Sequence, residues 1–297
     1  MEGHTTVLLH EAVDGLNLSK GDVVVDATLG LGGHSELLVE RVGESGIVLG
    51  IDADQHAIDM AQDRLKQFST RMRYALGNFR DITTHAHHVG ITKANGVLFD
   101  LGWNSTQLAS GRGFSFKTNE PLLMTFNAAP TEDTVTAYTI VNEWSESDLR
   151  ELIQTLGEER FATRIAQAIV TKRKESPIVH ANELSDIISD AVPLFYRRGK
   201  IHPATKTFQA LRMMVNDELS SITTALPEAF ELLDTGGRIA VITFHSLEDG
   251  LVKRIFKTLV REKNATIITK KPLTPRIEEI KENPRARSAK LRIIEKT

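Results

Sequence analysis

At 297 residues with 41% hydrophobic content, the chain can form one large domain or two ordinary ones around a sizeable core. It has no cysteine, which excludes disulfides, thiolate-bound zinc and a cysteine nucleophile. It also lacks an apolar run long enough to cross a membrane, and Met1-Glu2-Gly3-His4 has no signal-peptide character, so a cytoplasmic enzyme without membrane contact is expected. The net charge of −3 hides an asymmetry. Residues 251–297 hold 14 Lys and Arg against 5 Glu, leaving 22 basic and 34 acidic residues in the rest. A basic end on an acidic body suggests a localised phosphate-binding surface.

The first hundred residues alternate strand and helix patterns. Val23-Val24-Val25 reads as a strand buried on both faces, followed by a glycine-rich turn and a helix over 35–42. A second strand, Ile47-Val48-Leu49-Gly50-Ile51, ends at Asp52. Asp54 then caps a helix to about residue 65, with Ala57, Ile58, Ala61 and Leu65 on one face. Residues 73–76 and 96–99 give a third and a fourth strand, the latter ending at Asp100. This alternation predicts a parallel sheet with right-handed crossovers.

The alternation then stops. After a glycine-containing loop at 110–116 come helical segments, one starting at Ser145-Glu146-Ser147-Asp148 and one over 158–174 with Phe161, Ile165, Ala168 and Ile169 inward. The pattern resumes with a helix over 205–233, interrupted or ended near Pro227, and Gly236-Gly237 stops it before a fifth strand at 238–244. A helix capped by Ser246 runs to about 260, and 265–269 pairs with 290–294 as antiparallel strands. The expected organisation is a discontinuous sheet domain, 1–103 and 201–297, with an inserted helical substrate-recognition domain at 104–200.

The most informative run is Asp26-Ala27-Thr28-Leu29-Gly30-Leu31-Gly32-Gly33-His34-Ser35, where a strand turns into a helix at the carboxyl edge of the sheet. Asp52 follows Gly33 at roughly the twenty-residue spacing of a carboxylate that accepts ribose hydroxyls. These features suit nicotinamide cofactors and S-adenosylmethionine alike. Gly30-x-Gly32-Gly33 favours the second, because it lacks the spacing that seats a pyrophosphate on a helix N-terminus. After the third strand, Gly77-Asn78-Phe79 offers an amide and a ring to adenine. After the fourth, Asp100-Leu101-Gly102 falls where a methyltransferase holds the methionine end or the acceptor.

The sequence resembles the RsmH (MraW) methyltransferases, which methylate N4 of a cytosine in the decoding region of bacterial small-subunit (16S) ribosomal RNA. The resemblance runs from His4-x-x-Val7-Leu8-Leu9-x-Glu11 through Thr28-x-Gly30-x-Gly32-Gly33-His34-Ser35, Asp100-Leu101-Gly102, Gln107-Leu108 and Arg112-Gly113-Phe114-Ser115-Phe116. It continues through the run from His202-Pro203-Ala204-Thr205 to Arg212, then Val215-Asn216-Asp217-Glu218-Leu219 and Phe244-His245-Ser246-Leu247-Glu248-Asp249, and ends in the run from Asn283-Pro284 to Arg292. It implies a class I S-adenosylmethionine-dependent methyltransferase, an α/β Rossmann-like fold with a mostly parallel seven-stranded sheet and a helical insertion. It also implies cofactor contacts at Gly32, Gly33, His34, Asp52, Phe79, Asp100 and Gln107. Two stretches depart from the family pattern. Trp103-Asn104-Ser105-Thr106 stands where the family has Val-Ser-Ser-Pro. Leu122-Leu123-Met124-Thr125-Phe126-Asn127 replaces two acids and an arginine with neutral residues.

Without cysteine, the covalent route to carbon-5 of cytosine is closed, so methyl transfer goes directly to nitrogen or oxygen. Asp100, with backbone carbonyls near Gly102 and help from Asn104 or Ser105, is the expected acceptor-side group. Expected RNA contacts are Trp103, Lys200, His202, Lys206, Arg212, His245, Arg285, Arg287 and Lys290. The expected partner is 16S ribosomal RNA or the small ribosomal subunit, and the oligomeric state stays open between monomer and homodimer. His85-x-His87-His88 sits on a polar connector without partner carboxylates, so no metal is expected. His245, Ser246 and Asp249 are too crowded in sequence for a hydrolase triad, and His245 is expected to face the cleft. The alternatives are a non-catalytic or altered-specificity ribosome-assembly factor on the same fold, and a nicotinamide-dependent oxidoreductase.

Overall fold

Val23–Asp26 (β1), Ile47–Asp52 (β2), Met72–Leu76 (β3) and Ala94–Asp100 (β4) form strands where the apolar runs predict them. Leu233–Thr243 (β5), Ala265–Ile267 (β6) and Lys290–Lys296 (β7) complete one seven-stranded sheet in the order β3-β2-β1-β4-β5-β7-β6. The first five strands pair in parallel, and β7 runs antiparallel between β5 and β6. This is the class I methyltransferase sheet. The computed structural model describes residues 6–102, 105–108, 110–131 and 133–297, so Trp103 and Asn104 lie outside the described residues, as does the side chain of Ser105. Among the described residues no helix is long and apolar enough to cross a membrane.

The chain divides into two compact units, Met1–Gly102 with Leu219–Thr297, and Trp103–Glu218. In the first, Leu9–Gly15 (α1), Gly33–Val42 (α2), Gln55–Arg64 (α3) and Ile82–His88 (α4) follow in order. Asp54 caps α3 by accepting from the His56 N–H at 3.1 Å, as its side-chain type predicts. His85, His87 and His88 lie on α4 rather than on a connector, and His85 Nε2 sits 3.2 Å from the Asn78 carbonyl.

The second unit contains Ser105–Leu108 (α5), Ala137–Glu143 (α6), Glu146–Thr155 (α7), Ala162–Arg173 (α8), Ala181–Ala191 (α9), Leu194–Arg197 (α10) and Thr205–Val215 (α11). Ser145 caps α7 as predicted. The next helix starts later than the predicted 158. Glu158 has a left-handed φ of 48°, and the Glu159 carboxylate accepts from the Phe161 N–H at 2.8 Å, which holds the chain in a turn. Ala166, not Ala168, then faces the core. Residues 201–218, expected with the sheet, cluster instead with the helices, because Ala204, Phe208, Ala210 and Leu211 bury in the helical core and α11 packs on α6 and α7.

Glu218–Leu232 (α12), Ser246–Glu262 (α13) and Ile277–Glu282 (α14) follow. The long helix predicted over 205–233 breaks at Asp217, with φ 47°, and Pro227 lies inside α12. The reason is Asn216. Its Oδ1 accepts from the Phe126 N–H at 2.7 Å and its Nδ2 donates to the Met124 carbonyl at 2.8 Å, pulling the end of α11 out of register. The glycine pair does not end the helix before a new strand. Residues 234–237 loop out of β5 between the pairs Ala94–Leu233 and Gly96–Arg238, with Gly236 at φ 84°. His245, not Ser246, caps α13.

Successive residues of each strand bury on opposite faces, as the pleat requires. Val25, Leu49, Phe99 and Val241 pack with Ile82 of α4, Phe230 of α12 and Phe256 of α13. Val24, Val48, Leu98 and Ile242 pack with Val13 of α1 and Leu38 and Val42 of α2. Coverage of both faces explains the continuous apolar runs. Phe256 is 1% exposed, so Phe256→Ala is expected to destabilise the sheet unit by roughly 3–5 kcal/mol, read as a lower urea midpoint.

Candidate active site

The carboxyl ends of β1 to β4 lie side by side, and each carries a residue the sequence singled out. Asp26 is wholly buried at the end of β1. Its Oδ2 accepts from the Ser35 hydroxyl at 2.7 Å and its Oδ1 from the Thr28 N–H at 3.3 Å. Burial still pushes its carboxyl up to about 6, since those hydrogen bonds only partly replace lost water. Gly32 has φ 77° and caps α2, where a Cβ would press against Leu65. At Gly33 a Cβ would collide with Thr6 Oγ1. Both positions therefore need glycine.

Asp52 at the end of β2 takes two backbone donors, Gly30 N–H on Oδ2 at 2.8 Å and Asp54 N–H on Oδ1 at 2.9 Å. Desolvation nonetheless raises its carboxyl to about 6. This ties the glycine turn to the second strand, and each oxygen keeps a lone pair for a hydroxyl. Past β3, Asn78 caps the turn Phe79–Asp81, and the half-buried Phe79 ring stands edge-on to Phe99 at 5.7 Å.

Asp100 ends β4. Its N–H donates to Thr28 Oγ1 at 2.6 Å, and its Oδ2 lies 3.7 Å from Nδ1 of the buried His34. Its Oδ1 is buried with no hydrogen-bond partner among the described residues. Burial, then the nearby charges of Asp26 and Glu248, hold this carboxyl well above the usual range. Such an acceptor is costly to leave unsatisfied and suits a cationic or donating ligand. Glu248, 1% exposed, accepts from the Phe244 and His245 N–H groups at 2.8 and 3.3 Å. His245 Nδ1 in turn accepts from the Glu248 N–H at 3.4 Å, and its Nε2 lies 2.9 Å from Glu248 Oε1.

The sequence reading therefore placed Gly32, Gly33, His34, Asp52, Phe79 and Asp100 on one sheet edge, and the structure puts them there. It quoted Asp26 and Thr28 in the glycine run and Glu248 in a matching stretch without giving them the supporting roles they have here. The signal available for the last was the capping-box spacing from His245 to Glu248. Gln107 belongs to the helical unit, where it is buried on α5.

One expected RNA contact is corrected, and several others have partners within the fold. Arg212 is buried in a two-point ion pair with Glu218, at 2.8 and 3.0 Å. Lys290 donates to Asp249 at 3.1 Å and shares that carboxylate with Arg292, so one negative charge faces two cations. Lys206 donates to the Glu158 carbonyl at 2.7 Å. His245 caps α13 through Nδ1. His202 stacks on Phe116 at 4.5 Å and is held below its ordinary pKa, mainly by burial. Lys200, Arg285 and Arg287 are exposed.

The Asp26 carboxyl binds its proton more tightly in the folded chain than in the unfolded one. Its contribution to stability is therefore present below about pH 4 and lost as pH rises to about 6. Asp26→Asn removes this loss. Urea unfolding should show the variant gaining on the parent chain as pH rises from 4 to 6, with the gain level above that.

The MraW methylase family model matches residues 1–297. A protein of Persephonella marina is 46% identical over 293 residues, covering 99% of both chains, and one of Brevibacillus brevis is 43% identical over 310 residues, covering 99% of this chain and 98% of its own. Both are named ribosomal RNA small subunit methyltransferase H. Among solved structures, an rRNA methylase from Streptococcus thermophilus is 12% identical over 99% of both chains with a TM-score of 0.47, and it adds no weight to the sheet order seen directly. A methylase on this sheet takes its methyl group from S-adenosylmethionine, so the nicotinamide alternative falls. With a family match over its whole length and relatives above 40% identity, the chain belongs to the MraW methylase family.

Proposed function

We propose that the chain methylates small-subunit ribosomal RNA, at N4 of a cytosine in the decoding region. The relatives' names support the RNA class. The observation that carries the chemistry is the buried Asp100 Oδ1 at the end of β4, an acceptor without a partner among the described residues. The residues fit S-adenosylmethionine. Asp52 offers lone pairs to ribose hydroxyls, Gly32 and Gly33 keep side chains out of the turn, and the carboxylates of Asp100 and Asp26 favour a cation nearby. Phe79 offers a half-buried ring to adenine, and Gln107 remains a proposed contact from the helical unit.

The cofactor supplies an electrophilic methyl group on a sulfonium. The exocyclic amine of cytosine is a poor nucleophile because its lone pair is delocalised into the ring. Asp100 would accept a hydrogen bond from that amine, favouring the tetrahedral nitrogen, with Thr28 fixing the Asp100 backbone. Holding two reactants in place can contribute up to roughly 7–11 kcal/mol. Asn104 and Ser105 stay as proposed assistants beside Asp100. The base has to leave its stack, at a cost of about a few kcal/mol. Trp103, Lys200, Arg285 and Arg287 are the RNA contacts retained from the sequence.

The alternative of a non-catalytic assembly factor rests on the neutral stretch 122–127. Its main chain is a packed element, since Arg112 donates to the Thr125 and Phe126 carbonyls at 3.0 and 2.5 Å. Labelled S-adenosylmethionine incubated with the chain and unmethylated small subunits should mark one cytosine at N4. Cofactor binding without transfer selects the assembly factor.

Asp100→Asn should weaken cofactor binding and lose transfer at saturating cofactor, and full turnover would remove Asp100 from the acceptor side. Cofactor affinity should fall as pH drops through about 6, where Asp52 takes up its proton, and calorimetry over pH 5–8 reads this. Arg285→Gln with Arg287→Gln should weaken RNA binding and lower its salt slope by about 1.4–1.8. An unchanged slope takes the pair out of the site.

A further inference from the structure

The helical unit carries an exposed surface that is both apolar and basic. On α10 and the turn after it, Leu194 and Phe195 are each 66% exposed and Ile201 is 53% exposed. Arg198 and Lys200 are exposed among them. Large apolar side chains at this exposure, side by side and interleaved with cations, mark an interaction surface more often than a solvated face.

The backbone beneath them is anchored. The Tyr196 hydroxyl donates to the buried Glu159 carboxylate at 2.5 Å. Arg197 donates to the Val192 and Asp190 carbonyls and pairs with the Asp190 carboxylate at 3.1 Å. From the start of α8, the exposed Arg160 places its guanidinium carbon 5.4 Å from the Phe195 ring centre, 4.9 Å from Tyr196 and 4.8 Å from Phe161. Arg164 lies 6.0 Å from Phe161. The nearby acids are accounted for in part by this framework, Glu159 through Tyr196 and Asp190 through Arg197.

We propose that this surface binds a single-stranded segment of RNA, with Phe195 stacking on an unpaired base and Arg198 and Lys200 holding the flanking phosphates. The inference rests on the ribosomal RNA reading above. Unstructured RNA is held by aromatic faces set in positive surface, which is the composition here. A second copy of the chain fits less well, because a two-fold contact would set Arg160, Arg164, Arg198 and Lys200 against their own like charges.

The test measures binding of the full chain to small-subunit ribosomal RNA over a salt series, with and without substitutions. Phe195→Ala should weaken binding roughly tenfold with the salt slope unchanged, and Phe195→Trp should restore it. Arg198→Gln with Lys200→Gln should lower the slope by about 1.4, the value for two single-strand phosphates. Helical circular dichroism and cofactor affinity at parental levels show that each variant is folded. If the parent chain binds RNA and both sets of variants bind equally well, the surface is overturned while the ribosomal RNA reading stands. If the parent binds no small-subunit RNA, both fall. If Phe195→Ala abolishes self-association and leaves RNA binding intact, the surface joins copies of the chain and the proposal is overturned.

Discussion

Three carboxylates, Asp26, Asp100 and Glu248, are held out of water at one edge of the sheet, and the local design follows from the cost of doing so. Isolated burial of even one charge is strongly unfavourable, so donors gather around the group. Ser35 and the Thr28 N–H serve Asp26, and the Phe244 and His245 N–H groups serve Glu248. Asp100 is held differently. Its backbone is fixed by Thr28 while its Oδ1 has no hydrogen-bond partner among the described residues, and its neighbours' charges push it further toward its proton. A buried carboxylate with an open acceptor at a strand end is poised for a ligand.

Asp52 shows the same economy in another form. By taking the Gly30 and Asp54 N–H groups it locks the glycine turn to β2 and starts the geometry of α3, whose cap is Asp54. One side chain thus links two strand ends and two helix starts. Glycine suits 32 through its left-handed φ and 33 through the close approach of the Thr6 side chain.

In the helical unit, the neutral stretch 122–127 is no loose loop. Arg112 and Asn216 each hold main-chain atoms between Met124 and Asn127, and Met124 adopts φ 57° there. Thr125 is buried, with its hydroxyl on the Asn127 carbonyl at 2.8 Å. A neutral residue is suited to that position, because a charge would lose its water there. The break between α11 and α12 belongs to the same arrangement, since Asn216 is the residue that leaves the helix.

What the sequence determined by itself was local and periodic. Continuous apolar runs with β-branched residues located β1 and β2, and the alternation of the pattern placed β4. Glycine spacing located the ligand turn, and Asp54 and Ser145 announced their helices because capping depends on neighbours within three residues. What only the tertiary structure decided was which charges are neutralised and which are not. Arg212 and Lys290 read as free cations until Glu218 and Asp249 came beside them, and Asn216 rather than Pro227 broke the long helix through contacts some ninety residues away. The burial that lifts Asp26, Asp52 and Asp100 is likewise a property of the assembled sheet. Periodicity records which face of an element is dry, but pairing and desolvation depend on what folding brings from elsewhere in the chain.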